Sequence, residues 1–137
     1  MHRLFLDSNV LFSAAWREDS GLLRLWKLTD AKPLSSEYAV DEARRNIVDA
    51  GARARLEVLL AETTIVGEGS EESLPSNLVL AGKDRPILAA AIQARATHLI
   101  TGDRKDFGRL FGRRIRGVLI LRPADYFRIR HGRRPAP

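Results

Sequence analysis

Four short apolar runs, RLFLD (3–7), TTIVG (63–67), THLIT (97–101) and GVLIL (117–121), are separated by stretches whose apolar residues recur at helical spacing. Runs this short, without polar alternation, are what strands buried on both faces of a parallel sheet require. KPLSS (32–36) is a fifth, weaker candidate, because Pro33 has no backbone N–H to donate and is confined to a sheet edge or a strand start. Helical patterns cover Asn9–Trp16, Gly21–Leu28, Tyr38–Asp49, Ala52–Ala61 and Ile87–Ala96, and a last one begins near Ala124. This alternation predicts an α/β fold: a parallel sheet with helices on both faces, joined by right-handed crossovers.

The stretch GEGSEESLPS (67–76) reads as a surface loop leading to a short apolar turn at Leu78–Leu80. LLRLWKL (22–28) carries apolar residues on more than one helical face, which means either deep burial or a subunit contact. A chain of 137 residues suits a single core. We place one domain at residues 1–130 and a basic tail at 131–137. No segment approaches the ~20 apolar residues of a membrane span. The N-terminus meets Asp7 after three apolar residues, unlike a signal peptide, so a cytoplasmic protein without membrane contact is expected. Cysteine is absent, which excludes disulfides, thiolate catalysis and zinc–sulfur sites. Any metal must be held by oxygen or histidine.

The net charge of +6 is unevenly spread: residues 104–137 carry 11 Lys or Arg against two acids, whereas residues 1–103 carry 12 against 15. Arginine supplies 19 of the 23 basic residues, which suits phosphate, since a guanidinium binds phosphate oxygens through two parallel hydrogen bonds. A solubilising surface is the simpler account of any one arginine, and polyanion binding the account of the cluster.

Against this basic background stands LITGDRKDF (99–107), with Asp103 and Asp106 just beyond an apolar run. In a doubly wound sheet, ligands bind beyond the carboxyl ends of the strands. Asp7 ends the first strand, Asp103 follows the THLIT strand, and Asp84 opens the helix that feeds it, so connectivity brings all three to one rim. Glu42 lies further off, on the helix after the second strand, with Asn46 one turn beyond. Each has a structural reading. Asp7, Asp84 and Asp103 stand where helix N-caps stand, Asp103 with Asp106 has the spacing of a capping box, and Glu42 can pair with Arg45. Capping explains a place on a helix and leaves the convergence unexplained.

Clustered carboxylates raise one another's pKa until a cation relieves the repulsion. Oxygen ligation without cysteine or paired histidines favours Mg²⁺ or Mn²⁺ over zinc, and such ions suit phosphodiester hydrolysis. Histidine catalysis needs two imidazoles within reach of one phosphate. Here His2 is terminal, His131 lies in the tail and His98 begins a strand.

LDSNVLFSA (6–14), an acid within the third helix, DRPILAAA (84–91) and LITGDRKDF, in this order over nearly the whole chain, resemble the PIN domain of VapC-type toxins. The resemblance implies a three-layer α/β/α sandwich with a central, mostly parallel sheet of about five strands. It implies a Mg²⁺- or Mn²⁺-dependent endoribonuclease for single-stranded RNA, a cognate antitoxin and a homodimer. Position by position it assigns metal binding to Asp7, Glu42, Asp84 and Asp103, with Asp106 auxiliary, and makes Ser8, Asn9 and Thr101 the groups that orient those carboxylates. SSEYAVDEARRN (35–46) also offers Glu37 and Asp41; Glu42 borders the Val40–Ala43–Ile47 stripe and Asp41 points further from that side. Arg104 and Lys105 are then placed to meet RNA phosphates, as are Arg113, Arg114 and Arg116.

Two other enzyme or signalling classes fit less well. A phosphate-transferring Asp hydrolase wants a second acid at position 9, which is Asn9, and a receiver-type domain wants a lysine at the last strand end, which is Arg122–Pro123. A non-catalytic RNA- or partner-binding module on the same fold is the serious alternative, since carboxylates alone do not guarantee metal affinity.

Overall fold

The structure, a computed structural model, describes residues 1–132; the expected basic tail at 131–137 lies, from residue 133 onward, outside the described residues. Six strands form one sheet: β1 (His2–Leu6), β2 (Ala31–Ser36), β3 (Thr64–Val66), β4 (His98–Ile100), β5 (Arg114–Ile115) and β6 (Val118–Leu121). Their order is β3-β2-β1-β4-β6-β5, and every pair is parallel except β5 with β6. The helices are α1 (Ser8–Trp16), α2 (Glu37–Asn46), α3 (Ala50–Ala61), α4 (Arg85–Gln93), α5 (Arg104–Phe107) and α6 (Pro123–Gly132).

Successive side chains of a strand point to opposite faces, so an apolar run fills two cores at once. Leu4 and Leu6 of β1, Ile100 of β4 and Leu121 of β6 join Leu11, Val40, Leu56 and Tyr126 on one face. Phe5, Leu99 and Ile120 join Ile87, Leu88 and Phe107 on the other. The result is a three-layer α/β/α sandwich, with α1, α3 and α6 on one side of the sheet and α4 and α5 on the other. The chain builds outward from β1 through β2 to β3, then crosses back to add β4 and β6 on the other side. Between β1 and β4 the strand order therefore reverses, which opens a crevice at their carboxyl ends.

Several expectations need correction. The sheet adds a short sixth strand to the five read from sequence: Arg114–Ile115 form an antiparallel edge paired with β6. KPLSS is no simple edge. β3 pairs only from Leu34 onward, so β2 is an edge at Pro33 and an interior strand beyond it. The helix expected over Tyr38–Asp49 stops at Asn46, and Asp49 instead caps α3, accepting from the Ala52 amide at 2.8 Å. Gly21–Leu28 forms a 3₁₀ helix over Gly21–Trp26. Leu25 is fully buried, Leu22, Leu23, Trp26 and Leu28 are partly buried against the core, and Trp26 Nε1 donates to Thr63 Oγ1 at 2.9 Å.

Candidate metal centre at the carboxyl ends of the strands

A cavity of about 540 Å³ opens at this crevice, and Asp7, Ser8, Asn9, Glu42, Lys83, Asp84 and Asp103 all line it. Its floor is the junction of β1 and α1. Asp7 is only 3% exposed and ends β1 in extended conformation. Its Oδ1 accepts from the Ser8 amide at 2.7 Å, and its Oδ2 accepts from Thr101 Oγ1 at 2.8 Å and Asn9 Nδ2 at 3.1 Å. The Asn9 and Thr101 side chains also tie the two strand ends together: Asn9 Oδ1 accepts from the Gly102 amide at 2.8 Å, and Thr101 Oγ1 accepts from the Asp103 amide at 3.1 Å. Burial pushes the Asp7 carboxyl above the usual range; the Thr101 and Ser8 hydrogen bonds oppose the shift, and the nearby Glu42 and Asp103 charges add to it.

Ser8 reaches the opposite way, donating from Oγ to Glu42 Oε1 at 2.8 Å. This contact separates the three acids of α2 in space. Glu42 is half-buried and lines the cavity, whereas Glu37 and Asp41 are exposed and do not.

On the other side, one oxygen each of Asp84, Asp103 and Asp106 lies within 4.8 Å of the others. Asp103 caps α5, accepting from the Asp106 amide at 3.0 Å, so for this residue the capping geometry is present. Asp84 behaves differently. It occupies the N-cap position of α4 without making a side-chain cap, it is 5% exposed, and its Oδ2 makes no hydrogen bond among the described residues. Burial, aided by the neighbouring Asp106 and opposed by Lys83, pushes Asp84 up to about 7. Asp106 is held below the usual carboxylate range, chiefly by its hydrogen bond from Lys83. A buried oxygen without a hydrogen bond, beside two further carboxylates, is costly unless a cation stands near it. Three carboxylate oxygens gathered from separate segments, with no sulfur or nitrogen among them, are the donor type that a hard divalent ion takes. These residues therefore fit a hard divalent ion.

The candidate acids fall into two subgroups: Asp7 with Glu42 through Ser8, and Asp84 with Asp103 and Asp106. Arg104 and Lys105 are exposed at the start of α5 and do not line the cavity. Arg113, Arg114 and Arg116 are exposed on and beside β5, at the outer edge of the sheet. His2 and His98 begin β1 and β4, so both lie at the strand ends away from the cavity. Lys83 was not apparent from sequence. Its ammonium stands 2.7 Å from Asp106, 3.5 Å from Asp84 and 3.7 Å from Asp103. The available signal was a rare lysine, one of four in an arginine-dominated chain, placed directly before Asp84. Phe12, which stacks on Trp16 at 5.4 Å, also lines the cavity, a place its helical spacing does not mark.

A family model described as PIN domain matches residues 3–105. No curated protein matches the chain in sequence. Among solved structures, VapBC2 from Rickettsia felis bound to a DNA fragment from its promoter superposes with a TM-score of 0.63 at 17% identity, covering 88% of this chain and 98% of that one. VapC20 from Mycobacterium tuberculosis, a toxin that cleaves the sarcin–ricin loop, gives 0.52 at 15% identity, covering 73% and 91%.

Proposed function

Because the chain belongs to the PIN-domain family, matched over residues 3–105, we propose that it is a Mg²⁺- or Mn²⁺-dependent endoribonuclease acting on single-stranded RNA, the toxin of a VapC-type toxin–antitoxin pair. The observation that carries this reading is the gathering of Asp7, Glu42, Asp84 and Asp103 around one cavity, with the buried Asp84 Oδ2 making no hydrogen bond among the described residues. The two toxin neighbours support it at the level of fold. The proposed domain spans residues 1–130, the proposed location is cytoplasmic, and the proposed partners are a cognate antitoxin and a second copy of the chain.

A hard divalent ion at this site would supply Lewis acidity, polarising a phosphoryl oxygen and acidifying water. The chain's own residues do the rest. Asp84, Asp103 and, as an auxiliary, Asp106 offer carboxylate oxygens from one side, and Asp7 and Glu42 offer them from the other. Ser8 fixes Asp7 and Glu42 relative to each other, while Asn9 and Thr101 fix the second oxygen of Asp7. Donors locked in this way keep the carboxylates oriented before any ligand arrives, and loss of such supporting contacts typically weakens metal binding or activity by about 10–100-fold. Arg104 and Lys105, next in sequence to Asp103, are the proposed contacts to the phosphates flanking the scissile bond. Arg113, Arg114 and Arg116 would extend that path along the sheet edge.

The test is cleavage of a single-stranded RNA by purified protein with Mn²⁺, with EDTA, and with Asp7→Asn, which keeps shape and removes charge. Cleavage that EDTA stops and that Asp7→Asn reduces about 100-fold or more upholds the reading. A variant that cuts at the wild-type rate removes Asp7 from the site. RNA bound but never cut would make the protein a binding module instead.

A further inference from the structure

Resting on the metal-centre reading above, we propose that Lys83 is a tethered cation that fills the Asp84–Asp103–Asp106 cluster in the metal-free protein and competes with the divalent ion for it. Its ammonium lies 2.7 Å from Asp106 Oδ2, 3.5 Å from Asp84 Oδ2 and 3.7 Å from Asp103 Oδ2. These are the three carboxylates close enough together to share one ion. Among the described residues, every ion pair made by any of them is made with Lys83. An ion bonded to the same oxygens at about 2.1 Å would leave no room for the ammonium among them, and the two cations would repel.

The root of Lys83 is fixed and its tip is not. Tyr38 donates its hydroxyl to the Lys83 carbonyl at 2.7 Å, and the amides of Asp84 and Arg85 both donate to the Ala81 carbonyl, at 2.9 and 3.2 Å. The backbone is thereby held against α2 and the first turn of α4. The side chain is 61% exposed, so the ammonium can leave the cluster by rotating its four-carbon stem into water. Lys83 thus acts as a positioning residue, keeping three like charges gathered until an ion replaces it.

Mn²⁺ binding, read directly as the loss of the free-ion EPR signal, tests this without any activity assay. Lys83→Met and Lys83→Gln should each tighten Mn²⁺ binding roughly tenfold, the sum expected of three solvent-screened contacts. Lys83→Arg, which keeps the charge, should bind no tighter than wild type. Asp84→Asn should weaken binding in both the wild-type and Lys83→Met backgrounds, which locates the ion. Wild-type affinity or weaker binding in both Lys83→Met and Lys83→Gln overturns the role of Lys83 and leaves the metal centre standing. Failure of wild type and both variants to bind Mn²⁺, or binding untouched by Asp84→Asn, overturns the metal centre and the role of Lys83 together.

Discussion

Asp84 is in conflict with its surroundings in a way that Asp7 and Asp103 are not. Asp7 is met by three donors and Asp103 caps a helix, but the buried Oδ2 of Asp84 has no hydrogen bond among the described residues, and the group is pushed from 3.8 to about 7. The folded state therefore holds a proton that the unfolded state gives up near pH 4. Stability conferred by this group is full below about pH 4, falls as pH rises and levels off above about 7. The upward shift of Asp7 acts in the same sense. The depressed Asp106 acts below the window, where its contribution is lost as pH falls under 3.8. In EDTA, Asp84→Asn should flatten the decline in melting temperature between pH 5 and pH 8 and melt above wild type at pH 8. Millimolar Mn²⁺ should raise wild type but not the variant, because only an ion bound to the native state stabilises it. A variant that melts no higher than wild type at pH 8 in EDTA would remove Asp84 as the source of strain. Asp7, Asp84 and Asp103 were legible in sequence because connectivity alone brings a strand end and two helix starts to one rim. The choice among Glu37, Asp41 and Glu42 rests on the Ser8 hydroxyl, and the pairing of Lys83 rests on a side-chain rotamer; neither leaves a mark in spacing.

At the scale of elements, backbone conformation decides what apolar spacing does not. β5 and β6 are joined by Arg116 and Gly117, with φ of +50° and +90°, the two-residue turn whose twist suits a hairpin. Such turns favour Asn-Gly or Asp-Gly, so an arginine in the first position hid the hairpin, and a two-residue strand has too little pattern to reveal it. α4 ends similarly. Ala96 donates to the Ala91 carbonyl at 2.9 Å and Arg95 to that of Ile92 at 3.0 Å, with Arg95 at φ +57°, where a glycine is usual. Replacing Arg95 with Gly should relieve that strain and raise stability by about 0.5–1 kcal/mol, roughly 2–4 °C in Tm, as thermal denaturation would show. The opposite holds at Gly69 in the acidic loop. A Cβ there would collide with the Ala89 carbonyl in α4, so Gly69→Ala should cost about 1–3 kcal/mol, measurable as a lower denaturation midpoint. The 3₁₀ form of Gly21–Trp26 was hidden because apolar residues on several faces fix burial but not helical pitch.

Over the whole molecule, the alternation of apolar runs and helical patterns was enough to read the layers, since a strand with both faces covered must be apolar throughout. Strand order was not in that pattern, because crossover direction depends on which helix faces close the two cores. Charge is also a property of the whole. Arginines 113, 114 and 116 are exposed at the β5 end of the sheet, two strands from β4, where Asp103 begins its loop. Changing the three to glutamine should reduce the slope of log K for RNA against log salt by up to about 2, from ~0.7 per phosphate contact, and leave Mn²⁺ binding unchanged. An unaltered slope in a filter-binding titration would remove this edge from the RNA path. The same edge has another consequence. The sheet stops in a three-residue strand at one margin and a two-residue strand at the other. A neighbouring polypeptide finds only a few open peptide groups there to zip onto, and arginine flanks one of the two stubs. Copies of this molecule crowded together are thereby discouraged from fusing their sheets into a continuous ribbon.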